Sequence, residues 1–187
     1  MRFALITVIT ILSSTSCFSQ SNPNNFIYGT LYGTTSYTGY FWFDPVLTQM
    51  GQRITYKETL ETKKKKKLWA MNFDTFQSDS LFLRRFKTMP FGTGHVESMV
   101  PRIVMGKLQL YSASWRGFYS LRKSDHFFIY DGIRKIRLIR KKFEEQMTEL
   151  LAGDVDLVER IEREELNYDD MPSIILNYNL RQAKSKF

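Results

Sequence analysis

The hydrophobic period of this chain changes once, and that change limits what it can fold into. Up to Tyr130 the apolar residues follow a two-residue rhythm punctuated by glycine. Leu108, Leu110 and Ser112 alternate with Lys107, Gln109 and Tyr111, the pattern of a half-buried strand. From Phe143 the spacing is helical: Phe143, Met147, Leu150 and Leu151 fall on one face. Between the two regimes stands Asp131-Gly132, a hairpin turn signal. A sheet followed by helices that cover it satisfies both rhythms. The chain therefore reads as α+β: an antiparallel, partly closed β-sheet of about six to eight strands, then two or three C-terminal α-helices.

The strand candidates follow in order. Phe26 to Phe43 is aromatic and glycine-punctuated, and Asp44-Pro45 closes it as a turn. Gln52 to Tyr56 alternates weakly. Leu68 to Phe73 and Ser80 to Phe86 are two more candidates, with Asp74 to Asp79 as their polar link. In the second, Leu81, Leu83 and Arg85 share one face while Phe82, Arg84 and Phe86 share the other, so neither face is cleanly apolar. Pro90 to Gly94 reads as a loop, Gly106 as a bend, and Trp115-Arg116-Gly117 as a turn. Phe118 to Arg122 and His126 to Tyr130 are the last two strands, joined by Lys123-Ser124-Asp125.

In the helical part, Gly153 is placed to terminate the first helix as its C′ residue. Asp154 or Asp156 can cap the second, whose face is Leu157, Val158 and Ile161. Asp170 can cap the third, with Pro172 in its first turn and Met171, Ile174, Ile175 and Tyr178 as its face. The organisation expected is a signal peptide over 1–19, a polar spacer over 20–25, a β-rich body over 26–139, a helical part over 140–180 packed on the same domain, and a basic tail over 181–187. A length of 187 residues fits one such domain, and 43% apolar residues suffice for its core.

Met1-Arg2, the apolar run Phe3 to Leu12 and the small polar stretch Ser13 to Gln20 form an export signal. The apolar run is half the roughly 20 residues needed to span a bilayer, so no transmembrane segment is expected in the mature chain. Cys17 is the one cysteine. As a lipoprotein cysteine it lacks the apolar residue expected upstream, because Ser14-Thr15-Ser16 precedes it. As the first residue of Cys17-Phe18-Ser19 it gives the small residues that signal cleavage prefers, before Gln20, and this reading fits better. Localisation is then periplasmic or secreted, and the mature domain carries no disulfide.

Lys63, Lys64, Lys65, Lys66 and Lys67 form a run of five in a chain of formal charge +8. One reading is a docking patch for an anionic glycan or lipid surface. The other is a solvated hairpin end or a charge-protected edge strand, which is the usual fate of such blocks. Basic residues also interleave with aromatics at Arg84 to Lys87 and across Arg134 to Lys142, but they do not form one stripe with the lysine run. Export argues against nucleic acid as a partner.

No catalytic residue, cofactor or metal ligand set is identified. His95 and His126 are far apart, and no thiol survives cleavage at Ser19 to complete a zinc site. Ser98, Ser112 and Ser114 lack a nucleophile-elbow context. Asp169-Asp170 precedes a proline and an apolar run, which points to capping rather than acid/base work.

Gly106 to Tyr111, Lys141 to Phe143, Leu150, Asp154, Leu157 and Ile161, Tyr168 to Asp170, and Tyr178-Asn179 occur in this order over roughly the last 80 residues. In these motifs the chain resembles a loose family of uncharacterised exported bacterial proteins with a β-rich body, a Gly-x-x-x-Leu-Tyr strand and a helical end closing on Tyr-Asn. The resemblance implies a β-rich exported protein and no known activity. The function expected is a non-enzymatic cell-envelope binding or assembly module, its partner an envelope protein or an anionic surface. The alternative is a hydrolase acting on an envelope polymer through acidic side chains. Converging carboxylates with raised pKa favour the hydrolase, and a flat aromatic or basic face favours the module.

Overall fold

The computed structural model describes residues 26–48, 51–91, 94–116 and 123–184. The expected signal peptide, spacer, Cys17 and the Phe118–Arg122 strand lie outside these residues. Ten strands form one antiparallel sheet: β1 (Ile27–Gly33), β2 (Tyr37–Thr48), β3 (Gly51–Lys57), β4 (Lys66–Trp69), β5 (Phe73–Gln77), β6 (Phe82–Phe91), β7 (Gly94–Val104), β8 (Gln109–Arg116), β9 (Lys123–Tyr130) and β10 (Lys135–Arg137). The spatial order is β10-β9-β8-β7-β6-β5-β1-β2-β3-β4, so the ladder is open at β10 and β4. Three helices follow, α1 (Phe143–Leu150), α2 (Val155–Glu162) and α3 (Met171–Lys184). The architecture is α+β, and ten strands exceed the six to eight expected.

The sheet curls so that its two faces build separate cores. In the N-terminal half, β3 returns to β7 across the curl. Gln52 donates to the Asp44 carbonyl at 3.0 Å and accepts from the Met99 N–H at 2.9 Å. Gly51 permits the approach, because a Cβ there would sit 3.0 Å from the Glu97 carbonyl oxygen. Inside lie Leu31, Phe41, Ile54, Phe76 and Leu83, none of them solvent-accessible. On the opposite face of β6–β9, Phe86, Val100, Tyr111 and Phe128 form a second, aromatic core. Phe86 meets Tyr111 and Phe128 at ring centroid distances of 4.9 and 5.0 Å. This explains why β6 has no cleanly apolar face: Leu83 belongs to one core and Phe86 to the other.

The helices cover β8 and β9 on the face away from Tyr111. Leu108, Leu110, Phe127 and Ile129 pack there against Met147, Leu151, Leu157, Ile161, Ile174 and Ile175. Every residue of the expected α3 face, Met171, Ile174, Ile175 and Tyr178, is buried. Leu150 is only partly buried.

Several local expectations are corrected. Leu68 to Phe73 is not one strand, because a 3-10 turn at Ala70–Asn72 separates β4 from β5. Asp74 to Gln77 is not a link but strand β5, anchored by the fully buried Phe76. Trp115 and Arg116 extend β8, and Lys123 to Asp125 open β9, pairing with each other in register. Gly153 is not a left-handed terminator: Leu151 closes α1, its N–H on the Met147 carbonyl at 2.8 Å. Asp154 does cap α2 through the Leu157 N–H. The α3 cap is Asn167, not Asp170. The Asn167 side chain accepts from the Asp169 N–H, while Asp170 accepts from the Asn167 N–H, so the helix enters through a 3-10 turn. The tail begins later than expected, since α3 runs to Lys184 and Arg181 bonds Asp154 and Asp156 at 2.9 and 2.6 Å.

Candidate functional site

The lysine run sits at the far edge of the sheet. Lys63 to Lys65 lie in the connection before β4, and Lys66 and Lys67 lie on β4 itself, paired with Tyr56 and Thr55 of β3. All five are exposed. Lys66 donates to the Tyr37 hydroxyl at 2.6 Å and lies 4.4 Å from the centre of that ring. β4 is an outer strand with open backbone groups, and a row of lysines there discourages edge-to-edge pairing.

A different set of basic residues converges. Strand alternation places Phe82 and Arg84 of β6, Val100 and Arg102 of β7, Gln109 and Tyr111 of β8, Phe128 and Tyr130 of β9, and Lys135 and Arg137 of β10 on one face. Arg84 donates through Nε to the Tyr111 hydroxyl at 3.1 Å, and its guanidinium carbon lies 3.7 Å from the centre of the Tyr130 ring. Arg102 lies 4.2 Å and Arg84 5.8 Å from the centre of the Phe82 ring. The Tyr111 hydroxyl donates in turn to Gln109 Oε1 at 2.7 Å, and burial pushes its phenol up from the ordinary value. Lys135 stands at the rim, 4.0 Å from Asp74, and burial lowers its ammonium with Arg85 adding to the effect. Arg137 keeps a buried Nε with no hydrogen-bond partner.

The arginines divide by face. Every other arginine with a described side chain, from Arg53 to Arg181, holds a carboxylate within 3.4 Å. Arg85, next to Arg84 but on the opposite face, takes both Asp74 and Glu97 and also the Met71 carbonyl. Among the described residues Arg84, Arg102 and Arg137 have no carboxylate partner. The Arg-aromatic interleaving at Arg84 to Lys87 lies on β6, in the middle of the sheet, and the lysine run lies at the β4 edge. The signal that identifies the set is the two-residue spacing Phe82-x-Arg84-x-Phe86 together with Val100-x-Arg102.

Among the described residues the buried carboxylates and the two with lowered pKa are each bonded to an arginine. The two buried ones, Asp44 and Asp154, are each held by an arginine, Arg53 at 3.0 Å and Arg181 at 2.9 Å. Asp131 is held down to about 2, first by the Arg134 backbone N–H and then by the Ile133 N–H and the Arg134 side chain. The Arg140 guanidinium bonded to Asp169 holds that carboxyl below its ordinary value. His95 is exposed and His126 is half-buried, its imidazole lowered by burial and by Arg137. Among the described residues no three His, Cys, Asp or Glu side chains converge as a metal set. Ser98 is buried and donates to the Thr88 hydroxyl at 3.1 Å. A polar groove of about 440 Å³ between Tyr37, Met71, Asn72 and Arg85 contains Asp74, already bonded to Arg85.

No family model matches this chain. No curated protein and no solved structure matches it either. No helix among the described residues is long and apolar enough to cross a membrane. The functional reading therefore rests on the site geometry.

Proposed function

We propose that this protein is an exported, non-enzymatic binding module of the cell envelope that recognises an anionic partner. The observation that carries the reading is the face bearing Arg84, Arg102, Lys135 and Arg137, whose three guanidiniums have no carboxylate among the described residues while the other described arginines do. A fixed set of guanidiniums without acidic partners supplies the field that attracts an anion. Export is the reading of Met1 to Gln20 set out above, and it gives the compartment in which that anion would be met.

The hydrolase alternative needs a carboxylic acid kept protonated near neutral pH beside a second carboxylate. The perturbed carboxylates, Asp131 and Asp169, move the opposite way, each toward the ionised form. That favours binding over bond cleavage. Affinity capture with the purified protein from its own envelope fraction tests the proposal. Salt-sensitive retention of an acidic polymer or lipid supports it. Recovery of only neutral material, or of none, overturns it.

A further inference from the structure

We propose that Arg84 and Arg102 form a paired fork for an oxyanion, a carboxylate or phosphate group on the partner, at the β6–β7 end of the aromatic core. The inference rests on the binding-module reading and names the residues and chemistry of its site.

Both guanidiniums are held before any ligand arrives. Arg84 is fixed by its hydrogen bond to the Tyr111 hydroxyl at 3.1 Å and by the Tyr130 ring at 3.7 Å. Arg102 is fixed over the Phe82 ring at 4.2 Å, and Arg84 flanks the same ring at 5.8 Å. The support beneath them is rigid, since Tyr111 is fully buried and Phe86 and Phe128 pack around it. A guanidinium has five N–H donors in a planar fork. Arg84 commits one of them to Tyr111, and among the described residues the Arg102 donors have no hydrogen-bond acceptor. The remaining donors on both side chains match the geometry of a carboxylate or phosphate.

The charge balance points the same way. Two half-buried like charges beside one ring repel, and folding tolerates this only if something compensates. The aromatic faces contribute, but they leave the edges of the forks unpaired. The acids nearest in the strand order, Asp74 and Glu97, are bonded to Arg85, and Asp74 also stands 4.0 Å from Lys135, the β10 cation at the rim of the site. Both guanidiniums lie within 5.8 Å of the centre of the same ring, so one group carrying two anionic charges, a diacid or a diphosphate, can meet both.

The test is a titration of the full chain with pyrophosphate and, separately, with digalacturonate, followed by NMR of the arginine Nε–H signals and by calorimetry. The wild type is expected to bind at least one probe, moving the Arg84 and Arg102 signals, with affinity falling as salt rises. R84Q with R102Q is expected to weaken binding about tenfold or more, the loss of charge-assisted hydrogen bonds. R102K, which keeps the charge and loses the fork, separates planar recognition from simple attraction. The pyrophosphate and digalacturonate arms distinguish a phosphate source from a sugar-acid source. Absence of binding by the wild type to either probe overturns the proposal without requiring any variant to fold. So does binding that moves other signals, or that survives R84Q with R102Q. Envelope capture that persists while both probes fail overturns this site alone and leaves the binding module standing.

Discussion

The Asn179 side-chain amide closes over Gly106 and locks α3 to the turn between β7 and β8. Its Oδ1 accepts from the Leu108 N–H at 3.0 Å, and its Nδ2 donates to the Met105 and Leu108 carbonyls at 3.1 and 2.8 Å. Gly106 has φ +143, and a Cβ there would collide with the amide. Two motifs about 70 residues apart in the chain are thus one contact. Asn179→Ala should destabilise the fold by about 1–3 kcal/mol, because it leaves backbone groups of the turn without partners. Gly106→Ala should cost a comparable amount through strain and collision. Denaturant unfolding of the two single variants and the double variant checks this, and the double should fall short of the sum, since both break the same contact.

The helical layer should be integral to the domain. Leu157 is fully buried and Ile161 nearly so, against the face of Leu110 and Ile129. Leu157→Ala or Ile161→Ala should each cost about 2–5 kcal/mol. Deleting Gly153 onward should expose that face and cause aggregation. A truncated chain that unfolds cooperatively and stays monomeric by sedimentation would show the helices to be an appendage.

The β9–β10 hairpin should carry an acid-sensitive element. Asp131 accepts from the Ile133 and Arg134 N–H groups at 2.9 and 2.6 Å and from Arg134 Nε at 2.9 Å. Its folded pKa, about 2, lies below the ordinary value of 3.8. A depressed carboxylate stabilises the fold above its unfolded pKa, and this contribution fades as pH falls from about 4 through about 2. Asp131→Asn should remove that part of the acid limb, so wild type and variant should converge below the window and diverge above it. Thermal melts across that pH range provide the reading.

Replacing Lys63 to Lys67 by glutamine should leave stability within about 0.5 kcal/mol, since the side chains are exposed on a connection and an edge strand. Anion binding should also persist, because Arg84 and Arg102 lie elsewhere. Loss of binding with an unchanged melting curve would transfer the site to the lysines.

The helical faces were legible because each is read against a single core. Phe143, Met147 and Leu151 recur at helical spacing and all point one way. The N-terminal half was less legible because its strands serve two cores. In β6, Leu83 and Phe86 are buried on opposite faces, so alternation looks spoiled where it is in fact doubled. β5 was hidden because Asp74, Thr75 and Gln77 are polar and only Phe73 and Phe76 reach the core. The α3 cap was displaced because Asp169 and Asp170 both precede the helix, while the reciprocal bond to Asn167 depends on a 3-10 turn that spacing does not reveal. The arginine face was the least legible part. Its residues come from β6, β7 and β10, and only the strand order brings them together.

Incubation of the purified protein with isolated envelope polymer, followed by mass analysis of both the retained and the soluble material, separates binding from cleavage. Intact acidic polymer is expected to be retained, released by salt and recovered without shortening, and R84Q with R102Q is expected to reduce the retained fraction. Accumulation of soluble fragments over time, dependent on the protein, would contradict the binding-module reading and establish a hydrolase.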